Sequence, residues 1–173
     1  RLAAHFDPFP ISAAMGQGAQ MWNATASNTN NGATPASFSR RQQNLLTYNM
    51  PSMNGFDASF AWSAANEATA VTSAATIQKP RLWSAMAAYT NGPLALGIAY
   101  ERHVDYNPAA QASYAGSNDT MYTLGAGYTF MGSLRIGGVY NSINYNNITS
   151  GAEMTVKTWG IYGDWAVSGP HRV

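Results

Sequence analysis

One pattern recurs seven times between Gln43 and Val167: a stretch of about ten residues with apolar side chains at every second position, followed by a turn. In the clearest copy, residues 56–64, apolar side chains occupy the even positions, and small or polar ones occupy the odd positions. Alternation with a period of two over this length is a β-strand signal. Seven consecutive strands with one apolar face predict a β-sheet that forms a wall.

The connections between these stretches alternate between two lengths. The short ones are tight turns at Pro51–Gly55, Asn91–Pro93 and Met131–Ser133. The long ones are rich in Asn, Ser, Ala and Gly, and they span Asn66–Pro80, Asp105–Asp119 and Asn146–Glu153. Short turns on one side and long loops on the other predict an up-and-down antiparallel meander.

Composition favours a β-barrel in a membrane. Only 10% of the residues are charged, against about 25% in soluble domains, yet 46% are hydrophobic. No apolar run approaches the roughly eighteen residues of a membrane helix, and a barrel needs none because only alternate residues face lipid. The absence of cysteine excludes a disulfide framework and a thiolate metal site. A net charge of +1 gives no reason to expect nucleic acid.

Tyrosines on the apolar face add a second indication of lipid. They lie mostly near strand ends, where interfacial girdles of barrels occur: Tyr48, Tyr89, Tyr100, Tyr128 and Tyr140. The alternative is that they pack in the core of a soluble β-sandwich. A sandwich core does not explain why the side chains of the opposite face are so uniformly small. The fold class we predict is therefore all-β, a transmembrane antiparallel up-and-down β-barrel.

Charged residues divide between the two faces. The outward positions continue into the long-loop ends of the strands at Arg81, Arg102 and Lys157. If the long loops are extracellular, these cations face the phosphates of the outer leaflet of a Gram-negative outer membrane, and we predict a lipopolysaccharide-facing rim. The alternative is that the alternation between outward and inward positions is lost near the loops, so that it does not fix the direction of these three side chains.

The inward positions predict a hydrated lumen. They carry charges of both signs at Asp57, Glu101, Arg135 and Asp164, among many Thr, Ser and Asn residues. Several inward positions are glycines, which leave space for water or for an inserted loop: Gly97, Gly125, Gly127, Gly137 and Gly160. We therefore expect pore-lining residues rather than a filled interior.

Residues 1–42 are predicted to be a strand end followed by an inserted loop, and residues 43–173 to be the meander of the wall. Between Phe6 and Ser39 the chain has no sustained periodicity, contains three prolines, and includes a low-complexity run. Segments of this length are uncommon unless they are functional or disordered. Two adjacent cations, Arg40 and Arg41, follow it.

Three segments carry a resemblance to a known family. NLLTYNMPSMNGFDASFAWS (Asn44 to Ser63), AAYTNGPLALGIAY (Ala87 to Tyr100) and LGAGYTFMGSLRIGGVY (Leu124 to Tyr140) resemble strand–turn–strand units of the trimeric general porins of Gram-negative bacteria. The resemblance implies a homotrimer of sixteen-stranded, water-filled barrels in the outer membrane, which pass small hydrophilic solutes and ions by passive diffusion. By register with the family, this chain is similar to an internal fragment that runs from the end of the fifth strand to the twelfth.

The resemblance also implies a constriction formed by the inserted loop. The positions that match the family's basic ladder are Arg1 and either Arg40 or Arg41, and the only acid before Asp57 is Asp7. Thr47 stands where relatives often have an inward Arg. An excess of cations in a narrow passage lowers the barrier for anions, so we expect an anion-preferring pore.

We do not expect this protein to be an enzyme, and we expect it to bind neither a cofactor nor a metal ion. The three histidines, His5, His103 and His171, are interpreted as solvated loop residues, with no nearby serine and carboxylate and no metal-binding spacing. The second hypothesis for function is a small closed barrel of about eight strands that anchors or adheres; such barrels fill their interior with side chains.

Overall fold

The computed structural model describes residues 38, 44–64, 81–104, 118–146, 153–168 and 171–172. Eight β-strands account for nearly all of them. Their bounds are β1 Leu45–Asn49, β2 Phe56–Ser63, β3 Arg81–Asn91, β4 Leu94–Val104, β5 Asn118–Phe130, β6 Leu134–Asn146, β7 Glu153–Ser168 and β8 His171–Arg172.

The strands form one sheet in sequence order, and each is antiparallel to its neighbours. Among the described strands the sheet is open, because β1 pairs only with β2 and β8 only with β7. The predicted meander of seven strands is therefore confirmed. The interpretation of His171 as a loop residue is wrong, because His171–Arg172 pairs with β7 as a short strand, beyond a register shift between Ala166 and Ser168.

The short turns lie where the sequence predicts them, and they need left-handed backbone. Gly92 follows β3 with φ 55°, and Met131 and Gly132 follow β5 with φ 49° and 69°. Glycine adopts such angles at little cost. The long connection before β5 is shorter than predicted, because Asn118 and Asp119 already belong to the strand.

One face of the sheet is apolar and exposed. The register aligns Phe56, Tyr89, Leu96, Ala126, Gly138 and Ile161 as neighbours across six strands. The large apolar side chains of this face are exposed, up to 72% for Trp159 and 74% for Ile161. We call it the outer face, and the opposite one the inner face. No helix among the described residues is long and apolar enough to cross a bilayer.

The inner face carries a buried cluster near the ends of β5 and β6 that adjoin the long connections. It consists of Phe38, Met121, Ile143 and Tyr145, with Met154 and Val156 packed against it. The interpretation of the inner face as uniformly small and polar is wrong here, because large side chains from three strands share one region and bury one another. Phe38, from the segment before β1, completes this packing.

Candidate functional site: the inner face of the sheet

The four charged wall residues predicted from the sequence lie on the inner face. Side chains directly opposite in a ladder share a face, and the register pairs Glu101 with Met121, and Arg135 with Asp164. Asp57 pairs with Ala88 and is exposed. The inner face thus presents charges of both signs, although no described contact brings all four together.

Glu101 contacts a histidine for which the sequence predicts no role in the wall. Its Oε1 lies 2.8 Å from Nε2 of His103, two residues along the same face of β4. His103 is fully buried, and its ring stacks on Phe38 with the centroids 4.2 Å apart. The interpretation of His103 as a solvated loop residue is wrong, because β4 extends to Val104 and turns the ring inward.

Asp119 is a second inner-face residue that sequence reasoning missed. The sequence predicts that it lies in a long connection, but Asp119 belongs to β5 and is 5% exposed. Its carboxylate accepts a hydrogen bond of 2.9 Å from the backbone N–H of Asn146. A signal was present in the sequence, because Asp119 is in phase with the inward residues Met121 and Thr123. Burial of a carboxylate requires such donors.

Two polar side chains bridge β5 and β6 in the middle of the inner face. The Thr123 hydroxyl donates a hydrogen bond of 2.8 Å to Oδ1 of Asn141. Thr123 is 2% exposed and Asn141 is fully buried. Buried polar groups are costly unless they are paired, so this bond contributes to the specificity of the pairing between the two strands.

Towards the short-turn end, the inner face carries an aromatic side chain that fills a space left by glycines. Tyr162 on β7 is opposite Gly137 on β6, which is opposite Gly127 on β5. A Cβ atom at Gly137 would overlap the Tyr162 ring, and one at Gly127 would lie 3.1 Å from its hydroxyl oxygen. The prediction that water or a loop fills this space is wrong at these two positions.

A guanidinium covers the same ring. Cζ of Arg135 lies 5.5 Å from the centroid of Tyr162, which is within range of a cation–π interaction. Tyr162 also packs against a small cluster centred on the buried Ala88, together with Met86, Ala95 and Ala99. Within the described ranges, no group of three or more His, Asp or Glu residues could hold a metal ion.

A sheet with an apolar exposed face and a polar, charged inner face is the arrangement of a barrel wall in lipid. A family model described as Gram-negative porin matches residues 6–173. This chain belongs to the Gram-negative porin family. No curated protein matches the chain. Membership places the porin in the outer membrane as a channel protein.

The outer face of the porin carries the three cations predicted for its rim. Arg102 lies with Cζ 5.4 Å from the ring centroid of Trp83, and its Nε donates a hydrogen bond of 2.6 Å to Oδ1 of Asn118. Arg81 and Lys157 are exposed. By register, the three lie in successive outward rows, with Arg81 nearest the long-loop end and Lys157 farthest from it.

Four residues of the porin are predicted to form its constriction. Arg1, Asp7, Arg40 and Arg41 lie outside the described residues. The nearest described position is Phe38, which is 4% exposed and contacts the inner face through His103 and Tyr145.

Proposed function

We propose that this porin forms a water-filled channel for the passive diffusion of small hydrophilic solutes and ions, and that its strands cross the outer membrane repeatedly. The observation that carries the proposal is the division of the sheet into two faces. Large apolar side chains are exposed on one face, and Asp57, Glu101, Arg135 and Asp164 lie on the other. An apolar surface of this extent is costly in water and favourable in lipid.

The assembly that we propose is a homotrimer. Its support is the resemblance of three strand–turn–strand segments to the trimeric general porins, together with membership of the family. In that arrangement, part of the apolar outer face packs against other subunits and the rest faces lipid. Gel filtration and chemical cross-linking of the purified protein in detergent test this number directly.

The selectivity that we propose is a preference for anions, carried by Arg1, Arg40 and Arg41 against Asp7. The inner face of β2 to β7 acts in the opposite direction, because its four carboxylates outnumber Arg135: Asp57, Glu101, Asp119 and Asp164. Charge in the narrowest part of a pore acts at the shortest range on the ion. We therefore infer that the constriction outweighs the wall.

Three outer-face cations support a further interaction, the binding of lipopolysaccharide. Arg81, Arg102 and Lys157 lie in successive rows on the lipid side of the sheet, so one anionic headgroup layer is within reach of all three. Trp83 and Asn118 hold the Arg102 guanidinium in place. A fixed guanidinium binds phosphate at a smaller entropic cost than a mobile one.

The experiment that tests the channel is single-channel recording of the purified protein in a planar bilayer under a salt gradient. Steps in groups of three with an anion-directed reversal potential are expected. Neutralising Arg40 and Arg41 to glutamine shifts the reversal potential towards cations, and the matched control Lys157→Gln, on the outer face, leaves it unchanged. A cation-directed potential in the unmodified protein contradicts the proposed selectivity.

A second candidate is a small closed barrel that anchors or adheres. The observation in its favour is the buried cluster of Phe38, Met121, Ile143 and Tyr145 on the inner face, since a filled interior is typical of small barrels. The same recordings separate the two functions. Silence from a folded and inserted protein favours the anchoring barrel.

A further inference from the structure

Four neighbouring inner-face positions form one row that contains two glycines and one tyrosine. The row runs from Ala95 on β4 through Gly127 and Gly137 to Tyr162 on β7. A tyrosine that pointed straight into the lumen would project its full length into the passage. Here the ring instead lies along the wall. It covers Gly137, and its hydroxyl reaches Gly127.

The two glycines are what permits this orientation. A Cβ atom at Gly137 would overlap three atoms of Tyr162, namely Cζ, Cε1 and the hydroxyl oxygen. At Gly127 the approach to the hydroxyl oxygen would be 3.1 Å, which is tight but needs only a small adjustment. The ring therefore occupies the volume that side chains would otherwise fill, and a methyl group at 137 displaces it.

Few alternative orientations are open to the Tyr162 ring if it is displaced from Gly137. Side chains occupy a small number of staggered rotamers, and Arg135 covers the ring from one side, with its Cζ 5.5 Å from the centroid. The neighbouring wall is occupied by the cluster around Ala88. The Tyr162 ring would consequently turn into the lumen, and the Arg135 guanidinium would move with it.

We propose that Gly127 and Gly137 determine the width of the passage at this level by holding the Tyr162 ring flat against the wall. The flat ring, with the Arg135 guanidinium over it, is then part of the surface that solutes pass. This inference deepens the proposed function and rests on it, because width has a meaning only for a conducting channel. Gly137 and Gly127 are specificity-determining positions, and they act through Tyr162.

The test is single-channel conductance of Gly137→Ala, with uptake of sugars of increasing size into proteoliposomes as a second readout. Conductance falls in Gly137→Ala, and the permeability loss grows with the size of the sugar. The matched control is Gly163→Ala on the outer face of β7, where an added Cβ meets nothing within 4 Å, and it conducts as the unmodified protein does. The double variant Gly137→Ala/Tyr162→Ala regains at least the original conductance.

If Gly137→Ala does not assemble, a second pair of variants tests the same proposal. Gly127→Ala produces a smaller loss of conductance, and adding Tyr162→Phe, which removes the crowded hydroxyl, reverses it. The proposal is overturned if folded Gly137→Ala conducts normally, or if Tyr162→Ala alone raises conductance severalfold, since the ring would then already stand in the passage. Silence of the unmodified protein contradicts the channel itself and not this assignment.

Discussion

The ring of Phe38 lies almost parallel to the imidazole of His103, with the planes inclined by 18° and the centroids 4.2 Å apart. Both side chains are buried. The contact ties a residue from the segment before β1 to the inner face of β4, near the strand end that adjoins a long connection. Oε1 of Glu101 lies 2.8 Å from Nε2 of the same imidazole.

Truncation of Phe38 is expected to destabilise the protein. Phe38→Ala removes the stacking on His103 and leaves a cavity beside Met121, Ile143 and Tyr145, and buried Phe→Ala changes cost about 3–5 kcal/mol. Urea unfolding in detergent, followed by tryptophan fluorescence, measures the loss. Met131→Ala, at a fully exposed turn position, is the control and should have little effect. Equal stability of the two variants contradicts the packing role of Phe38.

Loss of the Thr123 hydroxyl is expected to weaken the pairing of β5 with β6. Thr123→Val leaves the buried Oδ1 of Asn141 without this donor, and such a loss costs about 1–3 kcal/mol in the free energy of unfolding. Thr123→Ser retains a hydroxyl and should keep most of the stability. Thr90→Val, at an exposed position of the same face, serves as the control. A stable Thr123→Val variant would show that the bond contributes little.

Gly55 and Gly92 provide a matched pair for the short turns. Both have positive φ, 81° and 55°, so alanine at either position costs about 1–2 kcal/mol in backbone strain. At Gly55 the added Cβ also collides with the carbonyl oxygen of Thr90, whereas at Gly92 it meets nothing within 4 Å. Gly55→Ala should therefore be the more destabilising, measured by urea unfolding. Equal losses would mean that the turn yields to remove the collision.

Reversal of the three outer-face cations is expected to release lipopolysaccharide. Arg81→Glu, Arg102→Glu and Lys157→Glu together replace attraction for phosphate with repulsion, so the protein purified from outer membranes should retain less lipopolysaccharide per mole. The control exchanges Arg81 and Arg102 for lysine and Lys157 for arginine, which preserves the charge. Unchanged retention in the charge-reversed variant would eliminate the rim as a binding site.

Much of the sheet could be predicted from the sequence because strand geometry is local. Alternation of side chains follows from the pleat, so the faces of Asp57, Glu101, Arg135 and Asp164 could be inferred without coordinates. Boundaries near the long connections were harder to predict. The sequence predicts loops at Asp119 and His103, since polar residues at strand ends resemble loop residues.

The contacts that build the inner face could not be predicted in the same way. The position of Phe38 against His103 joins residues 65 positions apart in the chain, and no local periodicity encodes such a distance. The sequence predicts that Gly127 and Gly137 leave space on the inner face, but it assigns that space to water or to an inserted loop. Its occupant, Tyr162, depends on the register of β5, β6 and β7 and on a rotamer, which the sequence pattern leaves open.

The fold class, the order of the seven main strands, the two faces of the sheet and the resemblance to the porins can all be inferred from the sequence. Each depends on local alternation, turn residues and short segments. The folded sheet is needed to show which side chains meet: Phe38 with His103, Thr123 with Asn141, and Tyr162 with two glycines. These contacts require a definite register across several strands, and register is a property of how each strand pairs with its neighbours, which the pattern of one strand does not specify.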